Sequence, residues 1–200
     1  MSILDERQSR IKSPVKYYIE FKHGSWRYWD AAQSASIQIP SLSFICVDVR
    51  SSVGGWSDEH ESSIYSNMVK DLSEPLSIKT GKKVRVDLVK GVYKEIKSQI
   101  AALGGKFVSN VFALADIEGV FVPVNIQFSG ASLRDWMEFV NQEKMFNVYT
   151  YLVTGVPGEE QKKGSVKYFT PSFSFVEAPD DLVDDAKQFA ALELEDYLEQ

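Results

Sequence analysis

The chain has 200 residues, of which 44% are hydrophobic and 25% charged, and its formal net charge is -6. These values are typical of a soluble globular protein with one domain. No apolar run approaches the roughly 18 residues that a membrane helix needs, and the polar segment 1–16 predicts no secretory signal. The single Cys46 excludes an internal disulfide and a cysteine-based zinc site, so we expect a buried thiol in a reducing cytoplasm.

Charge is distributed unevenly along the chain. Residues 177–200 contain nine acidic side chains and one basic side chain, which leaves a net charge of +2 for residues 1–176. Within that body, residues 79–106 contain eight basic and two acidic side chains. An acidic protein of this kind can still bind a polyanion, because its negative charge is concentrated at one end. The alternative is a solvated basic helix face with a solubilising tail.

Hydrophobic periodicity predicts a mainly β protein with a few helices. The first two strands are expected to form a hairpin across His23-Gly24-Ser25, and the Gly54-Gly55 pair is expected to end the strand before it. The segment Trp56–Asp71 is expected to be a polar loop. Val92–Leu103 is the clearest helix, because its apolar residues recur every three or four positions. Strands are predicted over 15–22, 26–30, 42–50, 84–88, 107–115, 120–128, 147–156 and 165–175, and two further helices over 132–140 and 180–189.

A helix between the third and fourth strands of a small barrel is the layout of an OB-fold. We therefore predict an OB-fold-like antiparallel barrel with an appended long hairpin, short helices and an acidic C-terminal tail. An open antiparallel sandwich is the alternative. The predicted organisation is a flexible N-terminus over residues 1–13, one OB-like domain over residues 14–176, and an acidic C-terminal helix or tail over residues 177–200.

The motifs of common catalytic sites are missing from the sequence. It contains no G-x-x-x-x-G-K-[ST], no G-x-S-x-G and no H-E-x-x-H. Asp58-Glu59-His60-Glu61 is the one metal or nuclease candidate, but adjacent residues of a strand or loop point in different directions. We therefore expect a protein that is not an enzyme and that needs no metal or cofactor.

Aromatic and basic side chains give the strongest functional signal. Proteins that bind single strands without sequence preference combine a basic groove with aromatic side chains on which bases stack. Along Trp26-Arg27-Tyr28-Trp29 the side chains alternate between two faces, so one face packs in the core and the other can stack bases. The predicted nucleic-acid-binding residues are Trp26, Arg27, Tyr28, Trp29, Arg50, Trp56, Tyr65, Lys70, Lys79, Lys82, Lys83, Arg85, Lys90, Tyr93 and Lys94.

The acidic C-terminus suggests a second interaction. A flexible anionic segment tethered near a basic groove can compete with nucleic acid for that groove. Its few apolar residues also allow it to dock onto basic partner proteins, and plain disorder is the alternative. The residues predicted to bind a partner are Asp184, Asp185, Glu193, Glu195, Asp196, Tyr197 and Leu198.

Several segments between residues 14 and 140 resemble a known family. They are Gly55-Trp56, Ile64–Lys70, Glu74-Pro75-Leu76, Lys90–Lys97 and Gly104–Phe107, with Gly130. This pattern is similar to that of single-stranded DNA-binding proteins of tailed bacteriophages. The resemblance implies an OB-fold protein that coats single strands during phage replication and recruits polymerase or helicase through an acidic tail. Many bacterial relatives end that tail with Pro-Phe, whereas this chain ends with Leu198-Glu199-Gln200.

The sequence therefore predicts a sequence-tolerant single-stranded DNA-binding protein that protects DNA in phage replication or recombination, in the cytoplasm of a bacterial host. Basic side chains would neutralise phosphates while aromatic side chains stack bases. One alternative is a structural or virion-associated phage protein, and another is a nuclease that uses Asp58, Glu61 and a neighbouring carboxylate with Mg²⁺. We expect no association with membranes and a contact with replication proteins through the tail, and the sequence leaves monomer and homodimer open.

Overall fold

The computed structural model describes residues 12–81, 86–142 and 148–199. Strands account for 56% of the protein and helices for 25%, which confirms the mainly β prediction. The strands are β1 (Tyr17–Lys22), β2 (Ser25–Asp30), β3 (Ala35–Ile39), β4 (Leu42–Ser57), β5 (Ser62–Ser66), β6 (Pro75–Thr80), β7 (Asp87–Val92), β8 (Gly105–Ile117), β9 (Val120–Ser129), β10 (Tyr151–Lys163) and β11 (Val166–Glu177). The helices are α1 (Tyr93–Ala102), α2 (Gly130–Gln142), α3 (Asp180–Phe189) and α4 (Glu195–Leu198), with a 3-10 turn over Val148–Thr150 and a π-helical turn over Ala190–Leu194.

All eleven strands belong to one mixed sheet that does not close into the expected barrel. The main order is β3-β2-β1-β9-β8-β4-β5-β6-β7, and β1 runs parallel to β9. Strand β4 pairs with β8 along one side, while its other side pairs first with β10 and then with β5. The sheet therefore branches at β4, because the two halves of this 16-residue strand have different neighbours on that side.

Gly54 and Gly55 lie within β4 and do not end it. Gly54 pairs with Tyr65 of β5 and with Lys106 of β8. A Cβ atom built on Gly55 would collide with the carbonyl oxygen of Gly104, so only glycine lets the two strands approach here. The two glycines were expected to end the strand, but they allow close backbone packing within it. Strand β5 lies in the segment where a loop was expected.

The inner face of the sheet, defined as the face covered by α1 and α2, holds most of the core. Trp136 of α2 stacks on Phe128 with 5.1 Å between ring centroids and an interplanar angle of 8°. Phe173 of β11 packs against both rings. Further along the same face, Ile96 and Ile100 of α1 pack in a second cluster formed with β4, β5 and β6. The inner face is therefore closed to ligands over most of its area.

The opposite, outer face is covered at one end by the C-terminal helices. Leu182, Ala186 and Phe189 of α3 are buried in a third cluster. Their partners in that cluster include Ile45 and Phe112 from the central strands. The helix predicted over 180–189 is confirmed, but it is packed on the sheet, whereas the sequence suggested a flexible segment. Among the helices of the described residues, none has the length and apolar character needed to cross a bilayer.

Candidate nucleic-acid interface

Two of the predicted stacking residues are core residues. Trp26 and Tyr28 of β2 point to the inner face and are buried. The Trp26 Nε1 donates a hydrogen bond of 2.9 Å to the Gly155 carbonyl oxygen, and the Tyr28 ring centroid lies 4.4 Å from that of Tyr17. Their prediction as nucleic-acid-binding residues is wrong, because burial leaves no ring face for a base.

The alternate residues of β2 form a small exposed surface, which we call the Trp29 patch (Arg27 and Trp29). Trp29 is 60% exposed on the outer face. The Arg27 Nε donates a hydrogen bond of 3.1 Å to Ser25 Oγ, and Arg27 pairs in register with Glu20 of β1. The alternation that the sequence predicts along β2 is thus present, and it leaves one aromatic ring and one guanidinium on the accessible side.

A larger exposed surface lies across β4 to β7, and we call it the Trp56 patch (Trp56, Tyr65, Lys79 and Lys90). Trp56 is 58% exposed. Tyr65 pairs with Lys79, and Ser77, two residues before Lys79, pairs with Lys90. Because paired residues share a face of a sheet and side chains alternate, all four side chains belong to the outer face. Lys79 Nζ lies 3.5 Å from Asp87 Oδ1, and Lys90 is exposed.

The Trp29 and Trp56 patches are separated by a buried polar ladder. The Asn110 Nδ2 donates a hydrogen bond of 2.8 Å to Ser52 Oγ, and its Oδ1 accepts hydrogen bonds from Asn125 and Gln127. Asn125 Oδ1 is buried without a partner in the described part of the chain. Four strand spacings separate β2 from β4, so the patches lie about 19 Å apart across this ladder. The buried amides link strands and offer no edge to a base.

Arg50 and Lys70 line a cavity of about 460 Å³ between β4 and the C-terminal helices. Arg50 Nε lies 2.8 Å from Asp48 Oδ2, and each of these side chains is only 20% exposed. Glu195 and Glu199 line the same cavity. Arg50 is therefore paired with a carboxylate and mostly covered, which makes it a weaker candidate than the exposed Lys90. Lys70 is exposed, but it shares its cavity with two glutamates.

The residues predicted to recruit a partner fall into two groups. The Tyr197 ring packs against Phe112 with 6.3 Å between centroids, and burial raises the pKa of Tyr197. Leu198 packs against the same cluster. Both side chains are therefore partly covered by the sheet, whereas a flexible tail was expected. The acidic members are exposed at Asp184, Asp185, Glu193, Glu195 and Asp196.

Of the other predicted residues in the basic stretch, two belong to α1 over the inner face and three lie outside the described residues. Tyr93 and Lys94 begin α1, which covers the inner face, and the Tyr93 ring packs on Phe107 at 5.1 Å. They therefore lie apart from the Trp56 patch, on the other side of the sheet. Three predicted phosphate ligands lie outside the described residues, namely Lys82, Lys83 and Arg85.

A basic groove that the sequence analysis missed lies at the end of the β10–β11 hairpin. This tip groove has a volume of about 580 Å³, and its basic and aromatic lining residues are Phe21, Lys22, His23, Lys106, Lys167, Tyr168 and Phe169. The Phe169 ring lies against Gly24, where an added Cβ would be 3.4 Å from the ring. The interleaving of basic and aromatic residues in Lys167-Tyr168-Phe169 is a signal that could have indicated the groove.

The acidic segment considered as a metal or nuclease site forms the turn between β4 and β5. His60 N donates a hydrogen bond of 3.4 Å to Ser57 Oγ, and Glu61 adopts a left-handed backbone with φ of 45°. Nowhere in residues 12–81, 86–142 and 148–199 do three histidine, cysteine or acidic side chains gather closely enough to hold a metal ion.

Comparison with known proteins gives no match to this chain, whether to a family model, a curated protein or a solved structure.

Proposed function

We propose that this protein binds single-stranded DNA without sequence preference and without catalysis, acting in the cytoplasm of a bacterial host during phage replication or recombination. The observation that carries the proposal is the Trp56 patch, in which an exposed tryptophan shares one sheet face with Tyr65, Lys79 and Lys90. An exposed ring beside cationic side chains is the combination that single-strand binders use.

The chemistry of the patch fits a tolerant mode of binding. Base stacking on Trp56 contributes about 1–3 kcal/mol and is available to every base, because each base has a π-face. Lys79 and Lys90 would contact phosphates, which position the strand but carry no sequence information. Each phosphate contact releases counterions, so the affinity should fall steeply as salt is added.

The acidic side chains of the C-terminal helices supply a second surface in this proposal. Asp184, Asp185 and Glu193 are exposed on α3 and the following π-helical turn, which Leu182 and Phe189 anchor to the sheet. A rigid acidic helix face would attract a basic replication protein through charge complementarity. The contact would not need Tyr197 or Leu198 to leave the sheet.

Two lysines four residues apart provide the sharpest test of the DNA-binding surface. Lys90 and Lys94 are both exposed, but Lys90 lies on the outer face and Lys94 on α1 over the inner face. We expect Lys90→Ala to reduce the magnitude of the salt slope for oligothymidylate by about 0.7, the value for one phosphate on a single strand. Lys94→Ala should leave the slope unchanged.

The measurement is the fluorescence anisotropy of a labelled oligothymidylate between about 50 and 200 mM salt. Thermal unfolding of both variants controls for folding. If the wild-type protein shows no salt-dependent binding, the proposed function is wrong. If Lys90→Ala and Lys94→Ala give the same slope, the outer face is not the interface.

A further inference from the structure

We infer that the tip groove is a second binding site for single-stranded DNA and that a strand passes from the Trp56 patch around the end of the sheet into this groove. The inference rests on the proposed function, since it concerns the same ligand. It assigns binding roles to residues of the β10–β11 hairpin and the β1–β2 turn, which lie far in sequence from the Trp56 patch.

Lys106 connects the two surfaces. It pairs with Gly54 in the β4–β8 ladder, so its side chain lies on the same face as Trp56 and diagonal to it. Lys106 also lines the tip groove. Among the described residues it forms no ion pair, so its ammonium group is available to a phosphate.

The lining of the groove is complementary to a nucleotide. Lys22, Lys106 and Lys167 supply three cationic groups, and none of the described residues that line the groove is acidic. Tyr168 and Phe169 provide ring surface at the same place, and Phe169 is 40% exposed. A volume of about 580 Å³ lies within the range of small-molecule sites, so a nucleotide fits.

Nearby carboxylates reduce this charge without removing it. Lys167 Nζ lies 2.8 Å from Glu160 Oε1, and Lys22 Nζ lies 3.5 Å from Glu20 Oε1. These four side chains are between 43% and 64% exposed, so water screens the ion pairs and each contributes little free energy. A phosphate can therefore compete for both lysines.

The positive surface continues beyond the groove. A neighbouring depression shares Ala131 and Tyr168 with it and adds Arg134 and Lys163. The Arg134 guanidinium is held by Asp135, which raises the pKa of Arg134, whereas Lys163 has no ion pair in the described part of the chain. From β4 to the β1–β2 turn the path crosses three strand spacings, or about 14 Å. Only a strand of several nucleotides can occupy both surfaces.

The test compares two double variants with two lengths of oligothymidylate. Lys22→Ala with Lys167→Ala removes two groove cations that lie away from the Trp56 patch. The control is Lys94→Ala with Lys187→Ala, because Lys187 matches Lys167 in exposure and in its ion pair, at 2.9 Å from Asp184. The oligonucleotides have about 4 and about 16 nucleotides, the two ends of the range of single-strand site sizes.

With the longer oligonucleotide, we expect the groove variant to reduce the magnitude of the salt slope by about 1.4, which corresponds to two phosphate contacts. With the shorter one it should bind like the wild type, since the Trp56 patch suffices. The control should match the wild type with both. An unchanged slope for the longer strand would overturn the inference and leave the proposed function intact, and equal losses with both lengths would overturn the continuous path. Absence of binding by the wild-type protein would instead refute the proposed function.

Discussion

The two faces of the sheet use the same residue types for opposite purposes. On the inner face, Trp26 and Trp136 are buried among other rings, and their polar atoms are satisfied or covered by protein. On the outer face, Trp29 and Trp56 are about 60% exposed beside charged side chains. Trp26 and Trp29 are only three residues apart on one strand. The difference teaches that the pairing register, and not aromatic content, decides which ring can meet a ligand.

The largest expected effect is a loss of stability on the inner face. We expect Trp26→Ala to lower the free energy of unfolding by about 3–5 kcal/mol, because it leaves a cavity among buried rings. Urea denaturation measures this loss. Trp56→Ala should change the same quantity by less than about 0.5 kcal/mol, as is usual for surface substitutions. Similar losses for both variants would contradict the assignment of the two faces.

The C-terminal helices allow the same contrast within one segment. Leu182 is 6% exposed against the sheet, whereas Leu192 is 75% exposed. Leu182→Ala should cost about 2–3 kcal/mol of stability, the lower part of the range for a buried leucine, while Leu192→Ala should be neutral. A neutral Leu182→Ala in thermal and urea unfolding would mean that the segment is a loose tail after all.

The smallest expected effect separates the two exposed patches. Trp56→Ala should weaken binding of oligothymidylate by about 1–3 kcal/mol, the value of one lost base stack. Trp29→Ala should have a smaller effect, because its neighbour Arg27 faces Glu20 and the patch has fewer cations. Anisotropy titrations at one salt concentration compare the two directly. If Trp29→Ala has the larger effect, the main interface lies on β2.

Local patterns predicted the elements whose stability is local. The helix expected over Val92–Leu103 is confirmed as α1, and the strands around the Asp116–Gly119 turn are confirmed as β8 and β9. In both cases the apolar spacing and a glycine are contained within one stretch of sequence. The alternation of side chains between two faces along β2 was likewise predicted from one short stretch of sequence.

Features that depend on distant partners could not be read in this way. Strands β5 and β6 are short and partly polar, and their pairing with β4 and β7 stabilises them. Gly54-Gly55 continues a strand because Gly104 approaches it, which no local pattern contains. The tip groove combines β1–β2, β8 and β10–β11 residues, so its members are scattered in sequence. For the same reason, Tyr93 and Lys90 proved to lie on opposite faces despite being three residues apart.

The parallel pairing of β1 with β9 sets the order in which the protein can fold. Tyr17 pairs in register with Val124, and the hairpin of β2 and β3 joins the main sheet through β1. Contacts of such long sequence separation form slowly, because loop closure precedes their stabilisation. At about 5–20 residues per second, a ribosome needs roughly 5–20 s to make the chain between them. During that time Trp26 and Tyr28 have no inner face to pack against, so the nascent N-terminal strands expose apolar surface, and such surface promotes aggregation, until β9 is complete.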